Sequence, residues 1–199
     1  MAKKPRLTRE ETKARTRQAL LKAAAEVFAS QGFHGASIDM IAEAAGYTKG
    51  AVYAHFANKD ELYLALLDEH LSSEGPPSIA LLESGADVDS IAAQVEESLP
   101  QELESSRAWG QLTYEFILHA MRDETVRARL AERFELACSE YGRSLQKRFA
   151  ARGEKPPADL RQRAIALMAF ENGLSLLGLI EPELVTGGVY SATLARLLD

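Results

Sequence analysis

Apolar residues recur at helical spacing along almost the whole chain, and no stretch alternates apolar and polar positions long enough to make a strand. In the first stretch Leu20, Ala23, Ala24, Val27 and Phe28 fall at i, i+3, i+4, i+7 and i+8, giving one inward stripe. Gly32 is a natural cap at its end. Ser37 is placed to cap a short helix over Ile38 to Ala45, with Ile41 inside and Gly46 as its breaker. Thr48 caps a second short helix through Phe56. Asn58, Lys59, Asp60 and Glu61 start a longer one to about Leu71, with both carboxylates favourably set on its first-turn dipole. Residues 72–85 hold Gly75, Pro76, Pro77 and Gly85 and read as a loop with at most a turn of helix. Val88, Ile91, Ala92, Val95 and Leu99 mark a helix that should stop near Pro100, and Trp109, Leu112, Thr113, Phe116, Ile117 and Ala120 mark another. The chain restarts at Asp123 to Thr125. Val126, Leu130, Phe134, Ala137, Tyr141 and Leu145 then trace a long helix ended by Gly153 and Pro156-Pro157. A last pair runs from Ala158 to Ile180 and from Pro182 to Leu198. The pattern predicts an all-α fold of about nine helices.

At 199 residues and 46% hydrophobic content, the chain suits one domain or two small ones with a packed core. A single cysteine, Cys138, excludes an internal disulfide framework and multi-cysteine zinc or iron-sulfur sites, and it suits a reducing cytoplasm. No metal or cofactor is expected. The N-terminus is charged without a following apolar stretch, so no secretory signal is read there. Ala164 to Ile180 is interrupted only by Glu171, Asn172 and Ser175 among apolar residues and glycine. It is short and polar at its centre, which favours a soluble helix over a membrane span. The net charge of -6 hides an asymmetry, because residues 1–60 carry ten basic against six acidic side chains. Lys3, Lys4, Arg6, Arg9, Lys13, Arg15, Arg17 and Lys22 face only Glu10 and Glu11, a basic footprint at one end of an otherwise acidic chain. The residues before Leu20 are expected to form a flexible arm that adds affinity without specificity.

The most informative segment is the pair of short helices joined by Ala45-Gly46-Tyr47. A tight glycine turn lets such helices cross steeply, as in the arrangement that sets a second helix in a DNA major groove, although many helical bundles contain such turns. From Ser37 to Leu62 the sequence contains Gly-Tyr-Thr-Lys-Gly-Ala-Val-Tyr-Ala-His-Phe with Asn-Lys-Asp-Glu-Leu behind it. This closely resembles the DNA-binding domain of the TetR family of transcriptional regulators, over about residues 14–70. The segment Glu-Asn-Gly-Leu-Ser-Leu-Leu-Gly-Leu-Ile-Glu-Pro-Glu resembles the terminal domain of a group that includes the choline-responsive repressors.

The resemblance implies a DNA-binding set of Ser37, Thr48, Lys49, Gly50, Ala51, Tyr53, His55 and Lys59. Ser37 and Thr48 begin helices, where free N–H groups and a hydroxyl suit a phosphate even as the hydroxyl caps the helix. Lys49 can reach guanine or phosphate from the first turn, and Gly50 permits close backbone approach. Tyr53 and His55 lie on exposed faces if Val52 and Phe56 point inward. Lys59 is similar to the family's phosphate lysine. Ala51 departs from the family, where a hydroxyl residue is common, though its methyl suits a thymine methyl.

Family likeness also implies a two-fold dimer on a near-palindromic DNA operator, with residues 1–58 as the DNA-binding domain and residues 59–199 for ligand binding and dimerisation. Residues 59–73 would connect the two, and the helices of about 158–198 would form the dimer through Ile165, Met168, Leu176, Leu179, Val189, Tyr190, Leu194 and Leu197. Trp109, Thr113, Phe116, His119, Phe134, Cys138, Tyr141, Met168 and Asn172 are candidates to line a cavity for a small, largely apolar or cationic effector, although each taken singly suits the core better, since aromatic stripes at helical spacing usually fill it. Glu171, in an apolar helix, needs a partner, either a basic side chain across the dimer or a cationic ligand. The expected activity is that of a ligand-responsive repressor in the cytoplasm. No phosphate loop, His-Glu-x-x-His or Gly-x-Ser-x-Gly occurs to suggest an enzyme. The competing class is a helical protein-interaction module with a basic arm.

Overall fold

Thr8 opens the first helix with a reciprocal cap. Its hydroxyl accepts the Glu11 N–H at 3.2 Å, and the Glu11 carboxylate accepts the Thr8 N–H at 2.7 Å. In this computed structural model, which describes residues 8–73 and 77–198, helix α1 accordingly runs Arg9–Gly35. The expected flexible arm is thus helical from Arg9 onward, because the cap satisfies the first turn; Lys3, Lys4 and Arg6 lie outside the described residues. Gly32 breaks α1 at the expected place with φ 68° and ψ 174°, a conformation open to glycine.

Helix α2 (Ile38–Ala45) ends at Gly46, whose φ of 71° reverses the chain into α3 (Lys49–Tyr53). The expected continuation of α3 to Phe56 is not helical, since Ala54 already closes it. Helix α4 (Lys59–Ser73) starts from a second reciprocal arrangement. Asn58 Oδ1 accepts the Glu61 N–H at 2.8 Å, and the Glu61 carboxylate accepts the Ala57 N–H at 2.6 Å. Leu20, Phe28, Phe33, Ile41, Val52, Phe56 and Tyr63 are buried in this first compact unit, Met1–His70. Phe28 stacks on Phe33 at 5.8 Å between ring centroids, and both meet Tyr63 edge-on at 6.0 and 5.8 Å.

The second unit, Leu71–Asp199, holds α5 (Pro77–Glu83), α6 (Val88–Ala120), α7 (Glu124–Ala151), α8 (Leu160–Ile180), a single 3-10 turn (Pro182–Leu184) and α9 (Gly187–Leu198). Two expectations change here. The predicted loop contains α5, which begins at Pro77, the first helical position where a missing N–H does no harm, and buries Leu82. The stop at Pro100 and the separate helix from Trp109 are replaced by one continuous α6. Ile91 and Val95 on one side of the proline and Leu112 and Phe116 on the other are all buried, and their packing outweighs a local proline penalty of about 3 kcal/mol. The final helix starts at Gly187 rather than Pro182. Nine α-helices and one 3-10 turn therefore stand among the described residues, with no strand, the gain of α5 offsetting the fusion within α6.

Leu82, Ile91, Tyr141, Leu145, Leu167, Tyr190 and Leu194 belong to one core cluster of this unit. A polar tie joins α5 to α7. The Glu83 carboxylate accepts from Ser144 Oγ at 2.8 Å and from Lys147 Nζ at 3.0 Å. The Ser144 hydroxyl, then the Lys147 ammonium, hold the Glu83 carboxyl below its ordinary value of 4.5. A depressed carboxylate stabilises the fold fully above its unfolded value and loses that contribution as pH falls through the folded one. Thermal melts at about pH 6 and about pH 3 should therefore separate more for the wild type than for Glu83→Gln, and equal separations would remove this tie from the acid response.

Candidate functional site

The helical pair presents its polar atoms through two caps. Ser37 Oγ accepts the Met40 N–H, and Thr48 Oγ1 accepts the Ala51 N–H, each at 3.2 Å. Val52 and Phe56 are fully buried, as their spacing requires, which leaves Tyr53 half exposed at 49%. A Cβ placed on Gly50 would meet only Thr48 Oγ1, at 3.8 Å, so the outer side of the first turn is open to a close-approaching surface. Ala51 is half-buried beside it.

Lys49 is exposed and bridges to Asp39 at 2.8 Å, a hydrogen bond and ion pair that push the ammonium above its ordinary pKa. His55 is half-buried. Burial, followed by the charges of Lys13 and Arg17, pushes its imidazole below the ordinary value, so it is neutral near pH 7. Arg17 also lies 4.5 Å over the Phe56 ring. Two cations from α1 thus stand beside the end of α3, a grouping that the sequence reading assigned only to a nonspecific arm.

Lys59 takes an inward course. Its Nζ donates to the carbonyls of Phe33 at 2.6 Å and Ala36 at 2.9 Å and sits 4.5 Å from the Phe33 ring centre. Burial lowers its pKa. Two of its three N–H groups are committed to the end of α1, which confines any phosphate contact to the third.

The expected effector residues divide. Cys138 and Tyr141 are buried, with Cys138 Sγ 3.6 Å from Met168 Sδ and the Tyr141 hydroxyl donating to Glu171 Oε2. Glu171 Oε1 accepts from Tyr190 at 2.9 Å, so the partners this carboxylate needed include two hydroxyls of its own subunit. Burial, then the Glu171 charge, raises the Tyr141 pKa and keeps that phenol protonated. Phe116 is fully buried with His119 alongside at 5.9 Å, while Trp109 and Thr113 are half-buried. Phe134 and Asn172 are exposed, Asn172 donating to the Met168 carbonyl at 2.7 Å, which sets both apart from an enclosed cavity. A cleft of about 400 Å³ lies instead at the C-terminal end of α7, and none of these residues lines it.

On α8, Ile165, Leu176, Leu177 and Ile180 are exposed, and Met168 and Leu179 are half-buried. Among the described residues this is the one helix long and apolar enough to cross a membrane, yet only 17% of its apolar window is buried within the chain. Val189 is exposed and Leu197 half-buried on α9. Tyr190 and Leu194, expected in the dimer surface, are buried within the chain itself at 4% and 0% exposure.

Two family models account for most of the chain: Bacterial regulatory proteins, tetR family, over residues 20–66, and BetI-type transcriptional repressor, C-terminal, over residues 87–199. The chain belongs to the TetR family. The family is one of DNA-binding transcription regulators, a non-enzymatic class, and the first match spans α1 from Leu20 onward, α2, α3 and the first eight residues of α4 through Leu66. This TetR-family chain is 46% identical over 68 residues to the transcriptional activator FasR of Mycolicibacterium smegmatis, covering 34% of this chain and 29% of FasR. Its fold matches GusR of Salmonella enterica with a TM-score of 0.69 at 23% identity, covering 98% and 99% of the two chains. The multidrug binding protein EbrR, solved with proflavin, matches with a TM-score of 0.60 at 26% identity, covering 92% of this chain and 99% of EbrR.

Proposed function

We propose that the protein is a cytoplasmic repressor that binds a near-palindromic operator as a homodimer and is released by a small, largely apolar or cationic effector. The observation that carries the DNA reading is the outward presentation of Thr48, Lys49, Gly50 and Tyr53 over a buried Val52 and Phe56. Residues 1–58 serve as the DNA-binding domain, with Ser37 and Thr48 toward phosphates and Lys49, Ala51 and Tyr53 toward the groove. His55, Lys13 and Arg17 flank them, and Lys59 secures the start of the connecting helix to α1. Residues 59–199 bind the effector and the second subunit. Dimerisation is supported by the exposed apolar residues of α8, with Val189 and Leu197 adding the α9 share. The effector reading draws on the Cys138, Tyr141, Met168 and Glu171 grouping and on EbrR, a fold relative described as a multidrug binding protein. Effector binding within residues 80–180 shifts the helix beginning at Lys59 and lowers operator affinity by about 5- to 150-fold, a coupling of about 1–3 kcal/mol.

Operator titrations at several salt concentrations test the reading. Lys49→Ala and Tyr53→Ala should each weaken specific binding about tenfold or more, and Lys49→Ala should also reduce the salt slope by about one. Binding that ignores both sequence and salt would instead favour a protein-interaction module. An effector titration that leaves operator affinity unchanged would remove the release step alone.

A further inference from the structure

The start of α6, the end of α7 and the α7–α8 loop enclose the cleft of about 400 Å³, a volume within the range of small-molecule sites. It lies about 10 Å along α7 from Tyr141, by the rise of a helix, and so stands apart from the effector grouping. Its walls combine two kinds of surface. Val88, Phe149, Pro157 and Leu198 are apolar, whereas Arg148, Arg152 and Lys155 bring positive charge.

Arg148 is the unusual member, since it is only 4% exposed. Its Nη1 donates to the Ala86 carbonyl at 2.5 Å, which fixes the guanidinium plane. Arg148 lines the cleft, and the Ala86 carbonyl takes up one of its five N–H groups. The two acidic neighbours are already engaged. Asp87 accepts the N–H and the hydroxyl of Ser90 at 2.8 and 2.7 Å, and Glu154 accepts from Arg152 at 2.8 Å. Three cations against two carboxylates leave one positive charge over in the lining. Burial, and then the nearby Arg152 charge, pushes the Arg148 pKa down, and the Glu154 and Asp87 charges oppose that shift only in part.

We propose that this cleft binds a small organic carboxylate, its anion held by Arg148 and Lys155 and its short apolar body resting on Val88, Phe149 and Leu198. A planar guanidinium matches a carboxylate through paired hydrogen bonds, and Lys155 adds a mobile point charge from the loop. The ligand is thus an amphiphile with one negative charge.

Calorimetric titration of the full chain with hexanoate tests this, with inorganic phosphate as the second probe. Saturable hexanoate binding with Kd at or below about 1 mM is expected, and phosphate should bind at least about tenfold more weakly for want of an apolar body. Lys155→Gln, an exposed change that spares the fold, should weaken hexanoate about fivefold, and Arg148→Lys, which keeps the charge but loses the paired geometry, about tenfold. A thermal melt of each variant establishes that it is folded. No saturable heat, equal affinity for the two anions, or hexanoate binding indifferent to Lys155→Gln would each overturn the proposal. None of these readouts involves DNA, so the regulator reading stands or falls separately.

Discussion

Replacing Phe28 by alanine is expected to unfold the DNA-binding unit and abolish operator binding without touching a residue of the proposed interface. Phe28 is 1% exposed and joins Phe33 and Tyr63 in an aromatic cluster. Removing a buried aromatic ring costs about 3–5 kcal/mol, the lost transfer free energy plus the cavity left behind. A unit of 70 residues holds about 4–10 kcal/mol at typical stability per residue, so one substitution removes most of it. Phe28→Leu retains most of the volume and should lose less than about 2 kcal/mol. Chemical denaturation followed by circular dichroism reads both. A Phe28→Ala unfolding midpoint equal to the wild type would remove this cluster from the stabilising core.

Leu176→Arg is expected to give a folded monomer with operator affinity reduced at least about a hundredfold. Leu176 is 41% exposed on α8, so an arginine there meets water in the single subunit and should leave the fold intact. In a two-fold interface each substitution occurs on both sides, placing two like charges in an apolar contact and costing several kcal/mol. On the proposed near-palindromic operator each monomer then makes only half of the contacts. Sedimentation equilibrium at micromolar concentration measures the first effect and an operator titration the second. A Leu176→Arg protein that remains dimeric places the interface elsewhere.

What could be read from the sequence was what depends on neighbours within a few positions. Ser37 and Thr48 cap helices three residues ahead of the N–H groups they accept, and Gly32 and Gly46 break helices by their own backbone conformation. The inward turn of Val52 and Phe56, hence the outward turn of Tyr53, follows from helical spacing alone. Interactions across long separations were not legible. Lys59 meets a carbonyl 26 residues away, and Glu171 meets a hydroxyl 30 residues away, neither marked by any local pattern. Continuity of α6 through Pro100 likewise rests on packing that a local helix-breaking rule does not weigh. An apolar stripe on α9 showed that Tyr190 and Leu194 would be covered, but the stripe reads the same whether the cover is the same subunit or another.

The ion pair between Lys49 and Asp39 bears on the DNA contact proposed for Lys49. With a carboxylate at 2.8 Å, the Lys49 ammonium already has an anion to hold. If Lys49 contacts phosphate as proposed, leaving it becomes an exchange of one anionic partner for another. Asp39, on the preceding helix, would thereby compete with phosphate for Lys49, a weak competition in water because both side chains are more than half exposed.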